Sequence, residues 1–241
     1  MVSRPTQQEY EKHRLLHYGG SRLSEVILGG QDGIVNVLGV ILGVAVASGD
    51  ARIVIAAGLA ATFAESISMG AVAYTSAMAD RDYYRGEMER ERRHIREFAE
   101  VEREEIRRIV TEGGFKGDLA EKIVDHITSD ENRWINTMMA QEFRLAPIDE
   151  KAALRKAVIV FISAAVGSLI PLLPFFVLPV LYGIITSIAV TGLTLFAVGA
   201  YKARVIAIGR WHRSGLQMAI IGLVAALVGY VIGFLFKAPA G

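Results

Sequence analysis

The sequence predicts an all-α membrane protein with five transmembrane helices and a three-helix cytoplasmic domain inserted between spans two and three. Three observations carry this. The chain of 241 residues is 52% hydrophobic. Its charge is uneven: residues 81–156 hold 34 of the 51 Asp, Glu, Lys and Arg side chains, 16 basic and 18 acidic. A water-soluble fold needs charge over its whole surface, so two materials are joined here, one suited to lipid and one to water. Third, five stretches reach the ~20 apolar residues that a helix needs to cross a bilayer.

In order, residues 1–26 form a polar cytoplasmic tail with no visible cleavable signal peptide. Spans one and two cover 27–48 and 53–79. The charged domain covers 80–156. Spans three to five cover 157–178, 180–201 and 215–236, and 237–241 is a short tail. Span three carries Pro171 and Pro174, which predict a kink and a tight turn into span four. Gly29, Gly33, Gly39 and Gly43 in span one, with Gly222, Gly229 and Gly233 in span five, predict closely packed helices. Lys and Arg crowd the first tail, the inserted domain and the link after span four. Only Arg52 and Lys237 lie on the opposite side, so the amino terminus and residues 80–156 are expected in the cytoplasm. A prokaryotic chain of this kind would sit in the cell membrane.

Composition also excludes. The absence of cysteine removes disulfides, thiolate zinc sites and iron–sulfur clusters. A net charge of +1 offers no general attraction to nucleic acid.

Ionisable residues inside a span are costly and mark candidate functional sites. Asp32 in span one and Glu65 in span two are such residues, with Asn36 one turn beyond Asp32 and Met69 one turn beyond Glu65. The competing readings are a helix cap near the start of the span for Asp32 and a structural carboxyl for Glu65, both secondary, and ordinary packing for Met69, which taken alone is the leading one. A carboxylate beside a thioether suits a soft or borderline divalent metal better than calcium or magnesium.

Span two runs without proline into DRDYYRGEMERERRHIREFAEVEREEIRRIV, which predicts one long helix leaving the membrane. A break is expected near Gly113 and Gly114, followed by helices over about 116–129 and 131–145. At ~100° per residue, Glu87, Glu91, His94, Glu102 and Glu105 share one stripe if the helix is continuous. Ile95, Phe98 and Ile109 lie along or beside it, so the stripe is not simply a solvated face. Crowded carboxylates repel unless protons, arginines or cations neutralise them. The last helix adds Met138, Met139 and Glu142, a group that alone reads more readily as core beside Trp134.

QDGIVNVLGV in span one, AESISMGAVAY in span two, the Y-x-x-E-x-x-R-E run, W-x-x-x-M-M-x-x-E and five spans together resemble the vacuolar iron transporter (VIT/CCC) family from about Ser24 to Phe236. The resemblance implies a homodimeric, proton-coupled exporter of ferrous iron from the cytosol, with the inserted domain gathering metal. Carried over by position, the translocation path would include Asp32 and Met69. The cytoplasmic ligands would be Glu91, Glu102, Glu105, Met138, Met139 and Glu142. His94 stands where better-known members have glutamate, and imidazole is a fair ligand for iron or zinc. Ala61 replaces a carboxylate of span two, and Glu65, one turn away, is the candidate substitute. The proline that interrupts the first cytoplasmic helices in the family is missing near Ala99.

The leading reading is therefore a divalent metal/proton antiporter with no catalytic residues and no prosthetic group. Its ions would be Fe(II), Mn(II) or Zn(II), with protons, the lipid bilayer and a second copy of the chain as partners. Two alternatives remain. Glu91-x-x-His94 has the spacing of di-iron carboxylate bundles, which would make a membrane-tethered ferroxidase, although such bundles use two of these motifs. The other alternative is a metal sensor or scaffold that moves nothing.

Overall fold

The computed structural model describes residues 7–147, 149–205 and 210–237, with side chains from residue 23 onward. Among these residues all regular structure is helical: α1 (Gln7–Ser48), α2 (Ala51–Glu97), α3 (Ala99–Glu112), α4 (Asp118–Thr128), α5 (Glu131–Gln141), α6 (Glu150–Leu172), a single 3-10 turn (Leu173–Phe176), α7 (Val180–Val205) and α8 (Trp211–Leu235). Five of them are long and apolar enough to cross a membrane, counting α1 from Leu23 and α6 through Phe176. The chain divides into two compact units, Met1–Tyr74 with Leu154–Gly241, and Thr75–Ala153.

In the first unit, α1 stops where Gly49 adopts a left-handed φ of 65°, a conformation that residues with a Cβ avoid. Asp50 then caps α2, its carboxylate accepting the Arg52 N–H at 2.7 Å. Helix α1 lies tightly against α8: a methyl added at Gly229 would overlap the Gly39 carbonyl, and one at Gly233 the Gly43 carbonyl. This is the small-residue packing expected between spans one and five. Pro171 ends the regular part of α6, and the Ser187 hydroxyl of α7 donates to the Pro171 carbonyl at 2.7 Å. Val37, Ile41, Val54, Leu172 and Phe175 form the core around that turn.

The second unit buries Ile95, Ile106, Val110, Val124, Trp134, Ile135, Met138 and Met139 in one apolar core. Arginines staple its outer surface. Arg107 donates to Glu121 at 2.8 and 3.1 Å, Arg103 reaches Thr128 at 2.8 Å and also Asp125, and Arg92 meets Glu131 at 3.2 Å. Asp130 caps α5 by accepting the Arg133 N–H at 2.8 Å.

One expectation is corrected. The helix leaving span two does not continue to Gly113; it ends at Glu97 and restarts at Ala99. Phe98 sits at φ −134°, ψ 41°, outside helical geometry, although no proline is present. The unit therefore holds the end of α2 and three further helices, α3, α4 and α5, where the sequence predicts three helices in all. The breaks at 113–117 and before α5 fall where glycine and Asp130 place them.

Candidate metal centre

The break at Phe98 assembles the site. On one continuous helix Glu91 and Glu102 would stand about 16 Å apart along the axis. With α3 turned away from α2, ligand atoms of Glu91, His94 and Glu102 all lie within 4.8 Å of one another. His94 Nδ1 is 3.7 Å from Glu91 Oε1 and 3.5 Å from Glu102 Oε1. Its ring packs edge-on to Phe98, centroids 6.4 Å apart. Both carboxylates are buried, 3% and 6% exposed, whereas the imidazole keeps one side open.

Electrostatics mark the same point. Burial, followed by repulsion from Glu102, Glu142 and Glu105, pushes the Glu91 carboxyl up to about 7. Glu102 is raised by burial and by Glu105, and partly relieved by His94. Glu142 is raised by burial and by Glu105, against which it hydrogen-bonds. Thus α2, α3 and α5 bring four carboxylates together. Glu91 Oε2 and Glu102 Oε2 are buried with no hydrogen-bond donor. A buried, unpartnered carboxylate oxygen is expensive, and a divalent cation held by mixed oxygen and nitrogen ligands would satisfy both.

Met138 and Met139 lie in the apolar core, fully buried with Trp134, Ile135 and Ile106. Packing accounts for their position, and a sulfur ligand would have to come from the same side chains. Glu87, in the stripe by periodicity but outside the ligand set, is buried and pairs with the exposed Arg90 at 3.2 Å. Its position one turn before Glu91 is the signal that could have singled it out.

In the spanning unit, Asp32 lies 25 residues into α1, so it caps no helix. Its carboxyl neighbours that of Glu65 on α2. Asn36 Nδ2 donates to Asp32 Oδ2 at 3.4 Å. Both acids are half-buried. Met69, one turn beyond Glu65, rests against Ala73, Ala157 and Val160. Ala61 is half-buried and packs on the core near Leu172.

Five apolar helices, a carboxyl pair within them and a carboxylate–histidine cluster on a separate charged unit define a multi-pass helical protein with ionisable sites in both units. Residues 23–234 match the VIT family, and the chain belongs to it. It is 31% identical to vacuolar iron transporter 1 of Oryza sativa subsp. japonica, covering 95% of this chain and 92% of the rice protein. Vacuolar iron transporter 1 of Arabidopsis thaliana is 29% identical, over 92% of this chain and 89% of its own. The vacuolar iron transporter of Plasmodium falciparum (isolate 3D7) is 30% identical, over 89% and 82%.

Proposed function

We propose that the chain transports divalent iron across a membrane, exporting it from the cytosol in exchange for protons as a homodimer. The observation that carries this is the neighbouring pair Asp32 and Glu65, two carboxyls inside spans of a chain whose relatives are named iron transporters. In this reading residues 80–156 face the cytoplasm and collect Fe(II) at Glu91, His94, Glu102, Glu105 and Glu142, with Met138 and Met139 as soft neighbours. Mn(II) and Zn(II) fit the same oxygen and nitrogen donors. The ion then passes Met69 and binds at Asp32 and Glu65.

The exchange follows from charge. Two ionised carboxylates in lipid need a cation between them or protons on them. Metal arriving from one side displaces protons, and protons arriving from the other release the metal. A two-fold axis doubles the ligands that each span supplies. The test is uptake of ferrous and manganous ions into proteoliposomes with and without a pH difference. Metal flux that rises with an acidic interior, accompanied by proton movement in the opposite direction, supports the proposal. Metal binding with no flux under either condition would return the protein to the sensor reading.

A further inference from the structure

In the spanning unit, α1, α6 and α7 leave between them a groove of about 520 Å³, walled by Ile34, Val166 and Tyr201 among others. Its floor is the contact of Gly30 with Gly167, where a methyl on Gly167 would overlap the Gly30 carbonyl. Neither residue has a side chain to fill the trough. Ser163 and Thr194 along it spend their hydroxyls on their own helices, donating to the Ile159 carbonyl at 2.7 Å and the Val190 carbonyl at 2.8 Å. Beside the Gln31 amide and the Tyr201 hydroxyl, the rest of the lining is apolar and suits hydrocarbon. From Leu23 to Ile34 it runs about 17 Å along α1, roughly half of a ~30 Å hydrocarbon core and so the depth of one leaflet.

One end differs from the other. Gly29 packs at Val160 and Gly33 at Ala164 and Ser168, so α1 and α6 run in parallel. The Ser187–Pro171 bond sets α7 antiparallel to them, and the start of span one, the start of α6 and the end of α7 therefore lie toward the same end of the groove. Arg155 and Lys156 precede the α6 wall, and Lys202 and Arg204 follow Tyr201. Among the described residues no carboxylate pairs with any of these four. Glu25 on α1 is the acid nearest in sequence to the Leu23 end. Arg204 stacks on the Trp211 ring, 5.0 Å from its centroid. Tyr201 and Trp211 are both exposed, as aromatic residues at headgroup level are.

We propose that this groove binds a single anionic phospholipid, one acyl chain along the Gly30–Gly167 trough and its phosphate headgroup among Arg155, Lys156, Lys202 and Arg204. An apolar slot ending in basic residues that no carboxylate pairs with among the described residues is complementary to that molecule at both ends. The site is independent of the metal reading and is measured without metal.

The test uses the full-length protein in detergent, followed by native mass spectrometry and thermal shift. The probes are phosphatidylglycerol, phosphatidylcholine with the same acyl chains, and inorganic phosphate. Phosphatidylglycerol is expected to bind roughly tenfold more tightly than phosphatidylcholine, and phosphate alone to leave the melting temperature unchanged. Lys156→Gln with Lys202→Gln removes two of the four cations and should reduce the preference severalfold while both lipids still bind. Val166→Trp should displace both lipids, and Ile162→Trp, on the same wall, serves if the first variant does not fold. Equal binding of the two lipids to the native protein would overturn the proposal. So would an unchanged preference in the charge variant, or stabilisation by phosphate alone.

Discussion

The two units use carboxylates in opposite ways. The charged unit crowds Glu91, Glu102, Glu105 and Glu142 together and keeps His94 beside them. The spanning unit has Asp32 and Glu65 with one amide, Asn36, on the Asp32 carboxylate. A crowded site is redundant, since each ligand's loss leaves others. A sparse site is not, because each acid carries half of the available charge. The same substitution chemistry should therefore be graded in one unit and decisive in the other.

The largest effect is expected at Asp32. Asp32→Asn keeps size and hydrogen-bonding capacity but removes the charge that both metal and proton require. Flux in proteoliposomes should disappear, while insertion and metal binding by the charged unit persist. Native flux from this variant would refute a role in translocation. Next come Glu102→Ala with Glu105→Ala, which should weaken metal binding measured by calorimetry at least as much as the roughly 10–100-fold typical of lost outer-shell partners. Flux should fall less than in Asp32→Asn at saturating metal. Unchanged affinity in the double variant would remove the cluster from the pathway.

A third expectation concerns pH. The Glu91 carboxyl, ordinarily at 4.5, rises to about 7 in the folded protein. Between those values the folded form holds a proton that the unfolded chain has released. Metal-free stability should therefore decline as pH rises from 4.5 through 7. Divalent metal replaces the proton, so the metal-induced rise in melting temperature should be greater near pH 8 than near pH 5.5. An equal rise at both would mean that metal and proton do not compete for Glu91. The smallest effect is expected from Met69→Leu, which keeps volume and apolar character but deletes the sulfur. Fold should persist and transition-metal flux should drop; parallel losses of folding and flux would assign Met69 to packing against Val160.

The spans were legible because ~20 apolar residues in a row have no alternative but lipid or a large core. Two helix ends, Ser48 of α1 and Val180 of α7, fall beside the local punctuation of Gly49, Asp50 and Pro179, whereas α2 runs on past residue 79 to Glu97. The interruption at Phe98 was not legible. RHIREFAEVERE contains only residues that a helix accepts, and nothing nearby breaks it. The cause lies in packing rather than in local sequence: Ile95 at the end of α2 and Ile106 on α3 are buried in one core with Val124, Ile135 and Met138. Periodicity grouped Glu91, His94 and Glu102 on the premise of a continuous helix; the fold brings these three candidates together by breaking that helix at Phe98. The nearness of Asp32 to Glu65 was equally beyond reach, because which spans pack together is not written in either span. Met138 and Met139 were recognised as both core and ligand candidates, and the fold places them in the core.

The joint at Phe98 has a mechanical meaning. Glu91 and His94 ride on one rod, Glu102 and Glu105 on another, and a single residue joins them. An ion that draws its ligands to ~2.1 Å closes the rods more than one that holds them at ~2.4 Å. Glu102 is about 6 Å from the pivot and the far end of α3 about 21 Å. If divalent metal binds at Glu91, His94 and Glu102 as proposed, that closure would press α3 against α4 and α5, to which Arg103, Arg107 and the shared core tie it. The size of the ion would then reach the rest of the charged unit as a load on those contacts.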